Sequence, residues 1–179
     1  MKKLIKIGIP IASLFLLIAC GNGENKKKEV QQNNKTSVPI LKNPAISIND
    51  DILNEIYSQY AHFPVALAND NIAEAKLAAN AIEAGAREIS SDRNLAASAA
   101  EIVSAPDIDK QRAAYSKLSN EMVLLLKKAG MAEAELYVEY CPMAFDNKGA
   151  VWISATKEVR NPYFGEKMLK CGEVKEIIK

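Results

Sequence analysis

The chain has little of the equipment most enzymes use: a single histidine, His62, and three cysteines in 179 residues. It contains no HExxH pair, no Gly-rich phosphate loop and no CxxC motif, which excludes zinc hydrolases, P-loop nucleotide binders and thioredoxin-type exchangers at the level of motif. A nucleophilic cysteine needs a base close by. One histidine in a helical stretch is thin support for that, so an enzyme is not expected. Positive charge is not in excess either: 23 Lys and Arg stand against 22 Asp and Glu. That removes the basic footprint of a nucleic-acid binder, and no nucleic-acid partner is expected.

What is present begins with an export signal. MKKLIK is basic, IGIPIASLFLLIA is apolar, and the run stops at Cys20. About thirteen apolar residues are too few to span a bilayer comfortably. LIAC at residues 17–20 resembles a bacterial lipobox, in which the cysteine is acylated through its sulfur and becomes the new N-terminus. Residues 1–19 therefore read as a lipoprotein signal peptide and Cys20 as the lipidation site. The expected location is the bacterial cell envelope, on the periplasmic or outer-membrane side, with the membrane held through the N-terminal lipid. Loss of Lys2, Lys3 and Lys6 with the leader lowers the formal charge from +1 to about −2. Outside the cytoplasm disulfides persist, which bears on Cys141 and Cys171, the two cysteines that remain.

Residues 20–48 are rich in Lys, Asn and Gln and read as a tether, because such a composition buries too little to offset its ordering entropy. Residues 49–130 read as a helical bundle. The first segment carries Ile52, Ile56, Tyr60, Phe63 and Leu67 on one face, and Pro64, which removes a backbone donor, makes a kink or break expected around Tyr60 to Phe63. The second opens on Asn71 and Glu74, a capping-box pattern, and continues as Ile72, Ala75, Ala79, Ile82, Ala86 and Ile89. A shorter helix with Leu95, Ala99 and Ile102 follows, then a long one with Tyr115, Leu118, Met122, Leu125 and Ala129 that Gly130 ends.

After Gly130 the period changes from helix to strand. LYVEYC and AVWISAT alternate as a hairpin would, and CPMAFDNKG between them supplies turn residues. EKMLKCG reads as a short helix and GEVKEIIK as a final strand. The expected fold is α+β, mainly α: a three- or four-helix antiparallel bundle followed by a small β-hairpin subdomain at residues 131–179. Glu133, Glu135 and Glu139 read as a solvated face.

The unusual chemistry lies in that subdomain. Cys141 and Met143 share a face if the segment is extended, and Met168 and Cys171 share one if theirs is helical. Two thiols and two thioethers brought together would select a soft ion such as Cu(I) or Ag(I), carried as cargo. The same cysteines could instead form a Cys141–Cys171 disulfide, closing a loop of about thirty residues and contributing about 3 to 4 kcal/mol; Met143 and Met168 would then be core fillers. A reversible disulfide would combine the two readings. His62, Trp152, Asn161 and Tyr163 are candidate accessory residues: His62 as an extra ligand, Trp152 as a cation–π lid, Asn161 and Tyr163 as shapers of a turn.

The motifs CPMA at residues 141–144, WIS at 152–154, NPYFG at 161–165 and MLKCG at 168–172 resemble the signature of an uncharacterised bacterial extracytoplasmic domain. That domain occurs in lipoproteins and at the C-terminus of membrane-fusion subunits of heavy-metal efflux systems. The resemblance implies a link to copper or silver handling, with an efflux complex as partner.

Overall fold

The computed structural model describes residues 45–89 and 93–179. The leader, Cys20 and most of the expected tether lie outside the described residues. The fold is α+β and mainly α: five helices packed as a bundle, then a small antiparallel sheet.

Three of the helices start where a side chain offers an acceptor. Helix α1 (Asp51–Tyr60) is capped by Asp50, whose carboxylate accepts the Leu53 N–H at 2.9 Å. Two residues later the chain restarts as α2 (Phe63–Ala68), with Pro64 in its first turn, where a missing N–H removes no helical bond. The expected break is therefore at Ala61 and His62. Helix α3 (Ile72–Ala86) carries the anticipated capping pair: Asn71 Oδ1 accepts the Glu74 N–H at 3.1 Å, and its amide donates to the Glu74 carboxylate at 2.9 Å. Helix α4 (Arg93–Ser104) packs between α3 and α5 (Ile108–Ala129), and Asp107 caps α5 through the Lys110 N–H at 2.8 Å.

The buried faces follow the helical period, with small departures. Leu53 and Tyr57 are buried in α1 where Ile52 was expected, and Ile52 stays exposed. Near the end of α5 the face drifts from Leu125 to Leu126. Alanines 75, 78, 79 and 86 in α3 and Ala99 in α4 let the helices approach closely.

A two-residue strand, β1 (Ser47–Ile48), pairs with β2 (Met131–Glu133), so ordered pairing starts inside the stretch read as tether. The second sheet is three-stranded, not a lone hairpin. Strand β3 (Leu136–Cys141) lies at its centre, flanked by β4 (Ala150–Ser154) and β5 (Glu173–Ile178), both antiparallel to it. Val138 faces Glu176 but Glu139 faces Val174, so Lys175 is the extra residue of a bulge in β5.

Helices and sheet meet at one hydroxyl. Tyr60 Oη accepts the Ile153 N–H of β4 at 3.1 Å and the Tyr115 hydroxyl at 2.9 Å, which leaves its own proton for Ser119 Oγ at 2.8 Å. Burial pushes the Tyr60 phenol up to about 12, so the network stays neutral over the ordinary pH range. Tyr60→Phe leaves two buried donors unpaired and is expected to destabilise the fold by about 2 to 4 kcal/mol. Urea denaturation checks this, and a loss below about 0.5 kcal/mol would remove the hydroxyl from its central place.

Candidate functional site: a sulfur cluster at the end of the sheet

Cys141 is the last residue of β3, paired with Ala150 of β4 and fully buried. The chain then leaves the strand through Pro142 and Met143 into a turn in which Phe145, Asp146 and Asn147 all take positive φ, at 52°, 58° and 65°. Three consecutive non-glycine residues in this region are strained and persist only where surroundings dictate them. Here the Phe145 ring stands edge-on to Tyr163, with centroids 5.4 Å apart. Gly149 closes the turn at φ 77°, where a Cβ would lie 2.1 Å from the Tyr140 hydroxyl oxygen.

Cys171 arrives from the other direction, on the segment between β4 and β5, which has little regular structure of its own. Long-range polar bonds give that segment its shape. Asn161 is buried; its amide donates to the Cys171 carbonyl at 2.7 Å, its Oδ1 accepts the Tyr163 N–H at 2.8 Å, and its own N–H donates to the Leu169 carbonyl at 2.8 Å. The Tyr163 hydroxyl donates to the Val151 carbonyl of β4. Arg112 of α5 reaches across with Nε donating to the Pro162 carbonyl and Nη2 to the Leu67 carbonyl and Asp70, each at 2.8 Å. Gly165, at φ 60°, leaves room for that guanidinium, since a Cβ would lie 2.8 Å from Nη2. NPYFG is thus a clamp, and Arg112, unremarked in the sequence, is its counterpart on the bundle.

The result is a cluster of three sulfurs. Cys141 Sγ and Cys171 Sγ are 3.5 Å apart and unbonded, and Cys171 Sγ lies 3.9 Å from Met143 Sδ. Cys171 is partly exposed, and Met143 is 46% exposed at the rim of a groove of about 690 Å³ that Phe145, Tyr163, Phe164, Asp109 and Lys110 also line. The hydrogen bond to Cys141, with a smaller effect of burial, holds the Cys171 thiol above the usual range.

The fourth expected sulfur is placed differently. The turn of 3₁₀ helix ends at Met168, so Cys171 lies beyond it and the shared helical face does not exist. Met168 contributes its backbone carbonyl, which accepts the Cys171 N–H at 3.0 Å, and its thioether makes no hydrogen bond to either thiol. Met143 is likewise in a turn, outside the extended stretch that was to align it with Cys141. His62 is remote in contact terms: half-exposed at the start of α2, it sits 4.0 Å from Glu74. Trp152 is buried, stands edge-on to Tyr163 at 5.9 Å and packs against Gly172, the residue after Cys171. Among the described residues no three His, Cys, Asp or Glu side chains gather as a metal-binding group.

Glu139 corrects the solvated-face reading. It is fully buried opposite Trp152, and its carboxylate oxygens lie near the Trp152 indole N–H and the Arg160 N–H without a well-formed hydrogen bond to either. Burial raises its pKa to about 7, although the nearby Trp152 and Arg160 N–H groups pull the other way. Strand β3 is central and buries side chains on both faces, Val138 on one and Glu139 and Cys141 on the other, so this glutamate lies inside where a one-sided strand pattern would expose it.

Residues 56–134 are similar to a family described as a protein of unknown function (DUF3347). No curated protein and no solved structure matches the chain. The matched segment runs from α1 to β2; Cys141, Met143, Cys171 and the NPYFG clamp all lie beyond it.

Two consequences are measurable. A native carboxyl with pKa about 7, against 4.5 as its ordinary value, holds its proton more tightly than the unfolded chain does. Stability is therefore highest below the ordinary value, falls as pH rises between the two values, and is level above. Glu139→Gln should flatten that fall and stabilise the protein at pH 8 by up to about 3 kcal/mol, read from urea midpoints at pH 5 and pH 8; parallel pH profiles for the two proteins would contradict it. Asn161→Ala frees the Cys171 carbonyl and should cost about 1 to 3 kcal/mol, with hydrogen exchange rising first around residues 161–172.

Proposed function

We propose that the protein is a lipid-anchored extracytoplasmic binder of Cu(I) or Ag(I), which sequesters the ion or delivers it to an efflux system. The observation that carries this is the convergence of Cys141, Cys171 and Met143, with sulfur separations of 3.5 and 3.9 Å. On the scale of a metal–thiolate bond of about 2.3 Å, sulfurs around one ion stand about 3.8 to 4.0 Å apart. Both separations made by Cys171 are within a few tenths of an ångström of that spacing. Two thiolates and a thioether form a soft set that suits Cu(I), whereas zinc prefers nitrogen, carboxylate or more thiolates. Cys141 is the anchored donor, Cys171 is partly exposed, and Met143 lines the groove through which cargo would pass. The lipobox at Cys20 and the resemblance of the C-terminal motifs to efflux-associated domains support the location and the partner. The similarity of residues 56–134 to a family of unknown function leaves both open to experiment.

A second reading rests on the same 3.5 Å contact. Cys141 and Cys171 would be joined in a lasting disulfide that staples a non-enzymatic interaction domain. Intact mass with and without thiol alkylation separates the two: a bond that resists mild reductant favours the staple.

Cu(I) titration against a chromogenic chelator under reducing conditions tests the metal reading. The Cys141→Ser, Cys171→Ser double variant should lose binding, and unchanged affinity would overturn the proposal. Met143→Leu should weaken binding at least about tenfold, the lower end of what losing even a supporting group does at metal sites. Met168→Leu should leave affinity unchanged.

A further inference from the structure

Cys141 and Cys171 differ in a way that a resting pair of ligands does not require. Their sulfurs touch at 3.5 Å, and a bond of about 2.05 Å needs them to close by about 1.5 Å. Cys141 is fixed in the central strand with no exposure. Cys171 is partly exposed, and its backbone is held on both sides, by the Met168 carbonyl at its N–H and by Asn161 at its carbonyl. The side-chain torsion of Cys171 is then the coordinate along which the pair can close, and an oxidant in solution meets Cys171 alone. We propose that Cys141 and Cys171 form a redox-active dithiol that exchanges with small-molecule disulfides of the glutathione class, Cys171 attacking and Cys141 resolving.

The chemistry balances without another reactant. The Cys171 thiolate attacks one sulfur of the small disulfide, that S–S bond breaks, and one thiolate leaves, giving a mixed disulfide on Cys171. The Cys141 thiolate then attacks Cys171 Sγ and expels the second small thiolate. Two protein thiols are oxidised and one disulfide is reduced to two thiols, which take up the two protons. The oxidised pair no longer offers anionic sulfur, and Met143 alone cannot hold the ion. Oxidation therefore releases cargo and reduction restores the site. This last consequence rests on the metal reading; the exchange itself does not.

The test uses the full chain carrying Cys20→Ser, so that the pair are its only thiols. Treated with glutathione disulfide, it should lose both free thiols and retain no glutathione by intact mass. Cys141→Ser should retain one glutathione, on Cys171. Cys171→Ser should take up glutathione at least about tenfold more slowly. Uptake by Cys171→Ser as fast as by Cys141→Ser would overturn the order of attack, and absence of an internal disulfide in the parent would overturn the dithiol. A measurement free of cysteine variants guards against misfolding: brief alkylation of the reduced parent should label Cys171 well ahead of Cys141, and equal labelling counts against the proposal. In the metal arm, Ag(I) uptake should vanish on oxidation and return with reductant. Undiminished uptake by the oxidised form overturns the release step. If the reduced form takes up no Ag(I), the metal reading fails while the exchange result stands.

Discussion

The Tyr60 hydroxyl is filled to its valence by groups from α5 and β4, and the relation of sheet to bundle depends on it. Among the described residues the outer edge of β4 has no neighbouring strand: its partner is β3 on the other side. Backbone groups of Val151 and Ile153 point to that free edge, two residues apart, and each finds a phenol: Tyr163 at the Val151 carbonyl, Tyr60 at the Ile153 N–H. Side chains thus stand in for a strand. An open edge would be a pairing liability; here it is the surface by which the sheet attaches to α1 and α5. The ring stack from Tyr57 through Tyr60 and Tyr115 to Tyr163, with centroid separations of 5.5 to 6.0 Å, fills the space behind these bonds.

Fixing β4 fixes β3, and β3 carries Cys141 at its end. The other two sulfurs are brought to it by different local devices. Met143 is set by a left-handed turn that Phe145 pins against Tyr163, and Cys171 by the Asn161 clamp, itself tied to the bundle through Arg112. Three supports that share Tyr163 converge on one small region and argue for a position under constraint, because irregular chain of this kind would otherwise relax. Glu139 belongs to the same picture. A buried carboxylate without a well-formed hydrogen bond is unfavourable, and it sits two residues before Cys141 on the strand that the Tyr60 bond holds in place.

Local signals in the sequence were enough for the scaffold. The Asn71–Glu74 cap, the small-residue seam of α3 and the stop at Gly130 are all encoded within a few residues of where they act. Departures such as Leu53 for Ile52 and Leu126 for Leu125 are one-residue rotations of a helix flanked by apolar neighbours on both sides of the seam. The sulfur cluster was legible as residue types and illegible as geometry. The argument from shared faces requires Cys141 and Met143 in one strand and Met168 and Cys171 in one helix, and neither pair lies within one element. The real cause of their meeting is a bond between Arg112 and a carbonyl 50 residues away, which no local window contains. Glu139 was missed for a related reason, since a charged residue in an alternating strand signals solvent unless the tertiary cover is known.

The separation of 3.5 Å between Cys141 and Cys171 lies between two chemistries. To share one soft ion the sulfurs must open by a few tenths of an ångström; to bond to each other they must close by about 1.5 Å. The two states exclude one another, because an ion needs the lone pairs and negative charge that the disulfide consumes. The clamp at Asn161 permits both, since it holds the backbone of Cys171 and leaves its side chain to choose. Met143 separates the outcomes further: a thioether donates to a soft ion but has no part in thiol–disulfide exchange, so its place 3.9 Å from Cys171 has a use in the proposed metal state that the disulfide does not give it. A disulfide staple would need only the two cysteines, and the strained turn that holds Met143 at the rim would then serve no purpose in it.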